Sequence, residues 1–456
     1  MTVEHPDTIT AISTPAGKGG IAVIRVSGTK AIALVEKIFV AHPAKKLMDV
    51  ASHRLVFGEV HDNGEKIDEA LVSVFRAPHS FTGENTVEIS CHGSVYIQQR
   101  IVWLLLSKGA RMAAAGEFTQ RAFLNGKIDL AQAEAVADLI ASESAAAHRV
   151  ALQQLRGGFS EELRQLRRQL LDFVALIELE LDFGEEEVEF ADRTQLTALL
   201  QELQRVIGRL LQSFALGNAI KHGVPVAIIG HTNVGKSTLL NTLLSEERAI
   251  VSDIHGTTRD SIEETIQLQG ITFRFIDTAG LRHTSETVEQ MGIERTWGKI
   301  RQASIVLLLV DATRPDTFTS IKEVRPQLND GQQLIVVVNK TDSATCEAPS
   351  CAATPVYISA KNKQGITQLT DALINSVNRS PVSADETVVT NLRHYEALQR
   401  TQEALTRAAQ GFANKLPSDL IAQEVREALH HLGTITGEIT TDEILGTIFS
   451  RFCIGK

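Results

Sequence analysis

The residues best suited to chemistry lie near the middle of the chain. Gly230, His231, Thr232, Asn233, Val234, Gly235, Lys236 and Ser237 satisfy G-x-x-x-x-G-K-[ST] at every fixed position, the spacing of a phosphate-binding loop. They follow an apolar run, Val224 to Ile229, and open a helical segment near Lys236. That strand–loop–helix context separates the motif from a glycine-rich loop that merely turns. Glycine lets backbone N–H groups converge on a β-phosphate, and a helix N-terminus adds its positive end. Lys236 supplies charge for the β- and γ-phosphates and Ser237 a hydroxyl for Mg²⁺, with Asn233, Val234, Gly235 and Thr238 in the same cradle.

Three further elements follow in the order a guanine-nucleotide site requires. Asp277, Thr278, Ala279 and Gly280 end the run FRFI. There a carboxylate can hold a Mg²⁺-bound water, and the Gly280 amide can meet a γ-phosphate. Asn339, Lys340, Thr341 and Asp342 end the run LIVVV, at the sheet edge where open α/β folds bind ligands. The Asp342 carboxylate accepts from both N1–H and the 2-amino group of guanine; adenine has neither and would leave the charge unpaired. Ser359, Ala360 and Lys361 end PVYI and offer a backbone amide to guanine O6. Each tetrapeptide is weak alone. Together, each behind its own strand, they point to GTP over ATP.

Between the first two elements lies Ser252, Asp253, Ile254, His255, Gly256, Thr257, Thr258. A Gly-Thr-Thr loop here suits a switch segment, with one threonine hydroxyl completing a Mg²⁺ shell. Small GTPases place a glutamine just after D-x-x-G to orient the attacking water. This chain has Leu281 there, which cannot hydrogen-bond. Glu286 and Glu289, in the second switch, are the candidates to replace it. Glu263, Glu264 and Glu294 are less well placed, and an internal arginine finger, Arg259 or Arg282, stays open.

These motifs need a buried parallel sheet, and the chain supplies one. VPVAIIG, FRFIDT, SIVLLLVD, LIVVVNK and PVYISA are the apolar runs of an α/β domain. Upstream, the first ~115 residues read as α+β: strand-like TITAIS, GIAVIRVSG, RLVFGEV, EALVSVF and NTVEIS alternate with turns PAGKGG, DNGE and SFTGEN, closed by a helical run from Ser94 to Lys108. From Gly116 to about Leu216 the texture is helical. A first helical run ends at Gly157-Gly158, a second at the acidic stretch Asp182 to Glu189, and a third fits Gln195 to Phe214. Helical spacing resumes from Asn391 to Phe452. The α/β domain is therefore expected as an insertion in a helical domain. Arg164, Arg167 and Arg168 cluster on one helix; they read as a solvated face more readily than as an RNA contact.

Bulk properties bound the rest. A chain of 456 residues with 43% hydrophobic content fits roughly three domains of about 150 residues. No apolar run approaches the ~20 residues of a membrane span, and the first residues show neither a basic head nor an apolar stretch. Cys91, Cys346, Cys351 and Cys453 have no repeated metal-ligand spacing; free thiols in a reducing cytoplasm are expected. With 45 Lys+Arg against 55 Asp+Glu the net charge is −10. Nucleic-acid affinity rests on neutralising phosphates, so any RNA must be held by a local patch or through a partner.

The combination of GHTNVGKSTLLN, DIHGTTRD, DTAGLR, NKTD and the last residues Cys453, Ile454, Gly455 and Lys456 resembles the MnmE (TrmE) family of tRNA-modification GTPases. SFTGENTVEISCHG and GEFTQRAFLNGKIDLAQAEAVADLI extend the resemblance over essentially the whole chain. It implies a folate-binding and homodimerising domain over 1–118 and a helical domain in two halves, 119–218 and 381–456. A G domain over 219–380 would lie between them. It further implies that Glu289 orients the hydrolytic water. K⁺, held by Asn233, Ser252, Ile254 and Thr257, would replace an arginine finger when two G domains meet, and Mg²⁺ would be held by Ser237 and Thr258. Ser252 departs from the threonine of the family pattern, without consequence for a backbone-carbonyl contact. The implied reaction adds a carboxymethylaminomethyl or aminomethyl group at C5 of the wobble uridine of certain tRNAs. It uses the FAD-containing partner MnmG (GidA) and a 5-formyl or 5,10-methylene tetrahydrofolate. Arg25, Glu88, Lys127 and Lys456 are the folate positions by the same resemblance: a carboxylate suits the amino-pyrimidine edge of a pterin and cations suit a glutamate tail. Arg25 and Glu88 also read simply as strand residues that pair with neighbours. Cys453 reads equally as a nucleophile or as a small apolar side chain.

A ribosome-assembly switch of the Era or Der type would share the G motifs. It calls for a basic module with a G-x-x-G loop, and the segment after Pro381 has neither. A decayed scaffold is opposed by intact Lys236, Ser237, Asp277 and Asp342.

Overall fold

The computed structural model describes residues 7–182, 193–231, 233–246, 264–276, 301, 303–314, 324–329, 332–343, 355–377, 387–450 and 452–455. Its elements gather into two compact units. Met1–Ile140, Gln153–Glu185 and Val425–Lys456 make the first; Ala141–Leu152 and Glu186–Glu424 make the second.

The first unit is built on a seven-stranded sheet. Its elements in chain order are β1 (Ile9–Ile12), β2 (Ile21–Ser27), α1 (Ala31–Glu36), β3 (Phe39–Ala41), β4 (Arg54–Asp62), β5 (Glu65–Phe75), β6 (Thr86–His92), α2 (Val95–Ser107) and β7 (Arg111–Met112). The strand order is β3-β4-β5-β6-β2-β1-β7, antiparallel throughout except for β1 beside β7. Asn63 and Gly64 close the β4–β5 hairpin with φ of 49° and 93°; Asn-Gly tolerates the left-handed pair that a tight hairpin needs. Alternation decides the faces. Ile24, Val26, Val87, Ile89, Val72 and Val74 turn inward to one core with Ile101, Leu104 and Leu105 of α2 and Ile32 and Val35 of α1. Their neighbours Arg25, Glu88 and Ser73 therefore share the other face, on one rung across β2, β6 and β5. The five expected strands and the helix are all present; α1, β3 and β7 are additional.

Helices follow: α3 (Glu117–Leu124), α4 (Leu130–Ile140), α5 (Ala145–Leu155), α6 (Gly158–Asp182) and α7 (Arg193–His222). Gly157, at φ 86°, separates α5 from α6 as its sequence implies. The run before it is not continuous, however. Ser144 accepts the Ala147 amide at 3.1 Å, capping α5 and dividing it from α4. Helix α7 extends beyond the expected Gln195–Phe214 at both ends. Of the three clustered arginines, Arg164 and Arg168 are exposed, Arg164 pairing with Glu161, whereas Arg167 is half-buried and pairs with Glu438.

The second unit carries β8 (Val224–Ile229), α8 (Lys236–Glu246), β9 (Glu264–Leu268), β10 (Ile271–Phe275), β11 (Ile305–Asp311), β12 (Gln333–Asn339), β13 (Val356–Tyr357) and α9 (Ile366–Val377). The order is β13-β12-β11-β8-β10-β9; β9 alone runs antiparallel, against β10. All residues of β11 are buried, the reason its sequence is a continuous apolar run from Ile305 to Val310. Strand β8 stands between β11 and β10, so the loop after it emerges at a reversal of strand order, where doubly wound sheets bind ligands. Helix α10 (Leu392–Ala413) lies on α7, with Phe214 stacked on Tyr395 at 4.5 Å. Helices α11 (Ser418–Thr436) and α12 (Asp442–Phe449) complete the chain. No helix among the described residues is long and apolar enough to cross a membrane.

Candidate functional site

The phosphate-binding loop sits between β8 and α8, and its glycines are forced. Gly230 has φ 150°, and a Cβ there would lie 2.4 Å from the Leu309 carbonyl oxygen. Gly235 has φ 101°, and its Cβ would lie 2.3 Å from Asn339 Nδ2. Asn233 adopts φ 62° and is exposed, an accessible left-handed position in the same loop. Lys236 Nζ donates to the carbonyls of Gly230 at 2.5 Å and His231 at 3.0 Å, so its ammonium lies over the cradle. Ser237 and Thr238 are exposed in the first turn of α8, and Val234 is buried beneath it.

The base-reading loops are tied to that cradle by one side chain. Asn339, 3% exposed, donates from Nδ2 to the Val234 carbonyl at 2.8 Å. Its Oδ1 accepts from the Ala360 amide at 3.0 Å. Asn339 is thus a brace between the phosphate loop and the Ser359–Lys361 turn. Asp342 Oδ1 accepts from the Ser359 hydroxyl at 2.7 Å, and that bond is the first cause holding its carboxyl below the usual carboxylate range. It is charged at neutral pH, as guanine recognition requires. Since the Ala360 amide is committed to Asn339, the Lys361 amide is the donor of that turn that no described residue uses. Lys340, at φ 66°, donates to Asp311 Oδ2 at 2.7 Å. Burial works to raise the Asp311 carboxyl, but the bonds from Lys340 and Thr313 outweigh it and hold it low. Thr242 joins α8 to the same turn by donating to the Ala360 carbonyl at 2.9 Å. Asp311 and Thr242 escaped the sequence reading; their sole signal is position, one ending a strand and one a helical turn beyond Thr238.

Ser252, Asp253, Ile254, His255, Gly256, Thr257 and Thr258, then Asp277, Thr278, Ala279, Gly280 and Glu289, lie outside the described residues, as do Arg259, Arg282 and Glu286. Glu264 begins β9, opposite Phe275 of β10.

A second polar site lies in the first unit. Arg25 and Glu88 are directly opposed across β2 and β6; Arg25 Nε donates to Glu88 Oε1 at 2.9 Å, and Nη2 lies 2.8 Å from the same oxygen in the ion pair. The strand pairing read from sequence is thus present. The guanidinium carbon lies 5.5 Å from the Phe81 ring and 5.6 Å from the Phe118 ring. Phe118 is held by α3, which is anchored through buried Arg121. Arg121 pairs with Asp7, Glu84 and Glu117 at 2.8, 3.2 and 3.0 Å. Burial pushes the Glu117 carboxyl up, but bonds from Arg111, the Ala114 amide and Arg121 bring it down. Lys127 is exposed and donates to the Pro78 carbonyl at 3.1 Å, on the loop that carries Phe81. The C-terminal segment runs along the same sheet: Ile454 bridges Ala115, and Ser13 donates to the Gly455 carbonyl at 3.1 Å. Cys453 is exposed, which removes the buried-apolar reading. Lys456 lies outside the described residues.

With both sites described, comparison with known proteins decides the family. The family model for the GTP-binding protein TrmE N-terminus matches residues 8–127, and that for the MnmE helical domain matches 130–453, bracketing the whole G-domain sheet. The tRNA modification GTPase MnmE of Flavobacterium johnsoniae is 52% identical over 464 residues, covering 99% of this chain and 100% of the relative. The chain belongs to the MnmE family. The MnmE of Cytophaga hutchinsonii is 51% identical over 99% of this chain and 98% of its own length. That of Bacteroides thetaiotaomicron is 52% identical over 99% and 100%. Among solved structures, the G domain of the T. maritima FeoB iron transporter matches 34% of this chain and 98% of its own, at 22% identity and a TM-score of 0.26, too low to bear on function. The MnmE architecture is the expected one: an α+β N-terminal domain, helical segments, and a P-loop G domain lying between them in sequence.

Proposed function

We propose that this MnmE-family GTPase hydrolyses GTP to drive modification of C5 of the wobble uridine in certain tRNAs, acting with an FAD-containing partner of the MnmG (GidA) type. The observation that carries the GTP reading is the Asn339 brace, which joins the cradle around Lys236 to the loop bearing a charged Asp342. Two donors on guanine meet that carboxylate; adenine offers none.

The residues also fit the implied ions. Ser237 is exposed at the first turn of α8, where its hydroxyl would hold Mg²⁺ with Thr258, and the ion would neutralise phosphate charge. Asn233, exposed on a left-handed turn, would hold K⁺ with Ser252, Ile254 and Thr257. The ion would act as a guanidinium does on developing charge, Glu289 orienting the water once two G domains meet. A tetrahydrofolate, in the 5-formyl or 5,10-methylene form, would lie at Arg25, Glu88, Lys127 and Lys456 and supply a one-carbon unit. The same reading makes the protein a cytoplasmic homodimer with domain limits at 118, 218 and 380.

The test is steady-state turnover of GTP and ATP by the purified chain with Mg²⁺, in potassium against sodium. GTP cleavage in potassium well above that in sodium, with ATP left intact, is the expected result. Equal rates in both salts overturn the potassium role, and a preference for ATP overturns the base reading.

A further inference from the structure

Thr242 lies in the middle of α8, 7% exposed, with its hydroxyl 2.9 Å from two carbonyl oxygens, Thr238 in its own helix and Ala360 in the base-reading turn. A threonine inside a helix commonly returns its proton to the carbonyl one turn back, which would give it no part in nucleotide binding. A hydroxyl has one proton to donate, and the acceptors decide where it is needed. The Thr238 carbonyl already accepts the Thr242 amide in the helix ladder. The Ala360 carbonyl, on a residue 2% exposed, has no other donor among the described residues. The rest of the turn is equally committed. Ser359 exchanges both backbone bonds with Gln364, at 3.0 and 3.1 Å, and the Ala360 amide is held by Asn339 at 3.0 Å.

We infer that Thr242 is a positioning residue that aims the Lys361 amide at the 6-position of the base. The Ala360–Lys361 peptide is trans, and in a planar trans peptide the N–H points opposite to the C=O. Holding the Ala360 oxygen on α8 therefore turns the Lys361 N–H away from α8, on a residue that is exposed. Guanine presents an oxygen acceptor at its 6-position, and adenine an amino donor. An amide fixed in direction pairs with the first and opposes the second, independently of what Asp342 reads at N1 and the 2-amino group. The same helix carries Ser237 in its first turn, so the residue that orients this base reader is set on the phosphate-binding element. This inference rests on the GTP reading given above.

The experiment titrates three diphosphates into the full chain with Mg²⁺: GDP, IDP, which lacks the 2-amino group, and 6-thio-GDP, which carries sulfur in place of O6. Sulfur accepts a hydrogen bond weakly, so the native chain should bind 6-thio-GDP about fivefold less tightly than GDP. Thr242→Val keeps the branched shape without the hydroxyl. It should weaken GDP and IDP alike, by about three- to tenfold, and leave 6-thio-GDP within about twofold, so that the preference for oxygen disappears. Thr242→Ser, which returns the donor, should restore that preference. A merely structural role weakens all three nucleotides by one factor, and that result overturns the inference. So do an unchanged GDP affinity in Thr242→Val and a native chain indifferent to sulfur at the 6-position. Those results leave the GTP reading intact, whereas a native chain that binds neither GDP nor IDP removes both. Should Thr242→Val not fold, Thr242→Ala, with the strongest helix former in that place, carries the test with the same probes and the same outcomes.

Discussion

Replacing Asn339 by alanine should damage the G domain and its nucleotide site together, with no dependence on the γ-phosphate. Asn339 is 3% exposed and makes two hydrogen bonds, Nδ2 to the Val234 carbonyl at 2.8 Å and Oδ1 from the Ala360 amide at 3.0 Å. Truncation strands both backbone groups in the interior. A buried polar group left unsatisfied costs about 1–3 kcal/mol. Taking the lower half of that range for each, because some water will enter, gives about 3 kcal/mol. For a domain of this size about 1 kcal/mol moves Tm by roughly 2–4 °C, so a fall of roughly 6–12 °C is expected. Asn339→Asp should be no better: one oxygen still takes the Ala360 amide, but the other meets the Val234 carbonyl with no proton between them. The assay is thermal unfolding of the full chain beside GDP and GTP titration, with both nucleotides expected to weaken by a similar factor. A Tm within about 2 °C of native, together with unaltered GDP affinity, would refute the brace, because two buried bonds of that kind cannot vanish at so little cost.

Four further outcomes follow from the structure. Asp342→Asn presents an amide N–H to the guanine 2-amino group, so GTP affinity should fall about a hundredfold or more; xanthosine triphosphate, with a carbonyl at that position, should bind in its place, and a variant still preferring GTP in competitive titration would argue against Asp342 as the reader. Gly235→Ala places a methyl 2.3 Å from Asn339 Nδ2 on a φ of 101°, and nucleotide binding measured by fluorescent GDP should fall about a hundredfold, strain and clash acting together. Burial, aided by the Asp68 charge, pushes the Cys91 thiol up to about 11, so at pH 8 about one molecule in a thousand carries the thiolate. Iodoacetamide with mass-spectrometric mapping should label exposed Cys453 and spare Cys91. Because the folded value is the higher one, this thiol costs no stability below about pH 9 and removes some above it, where only the unfolded chain ionises; unfolding midpoints that rise from pH 8.5 to 10 in the native chain but not in Cys91→Ala would contradict that sign.

What the sequence disclosed, and what it concealed, follows burial. Strand β11 is apolar from Ile305 to Val310 because both its faces are covered, and the phosphate loop is legible because its glycines answer to close contacts at 2.4 and 2.3 Å. Strand β9 was hidden: at the sheet edge, it carries Glu264, Thr265 and Gln267 among its residues, a composition that also fits a loop. The break before α5 was hidden for another reason. Ser144 caps the start of α5 with a local bond that apolar periodicity does not register. The deepest illegibility is in partnership. Arg25 and Glu88 could be named as a cation and an anion in neighbouring strands, yet whether they serve a ligand or each other depends on register, and the register sets them directly opposite. Phe81 gave no signal at all, since one phenylalanine in a turn is indistinguishable from a core residue until the loop is folded over the guanidinium. The pairing is thus a property of two strands brought together, and no spacing within either strand announces it.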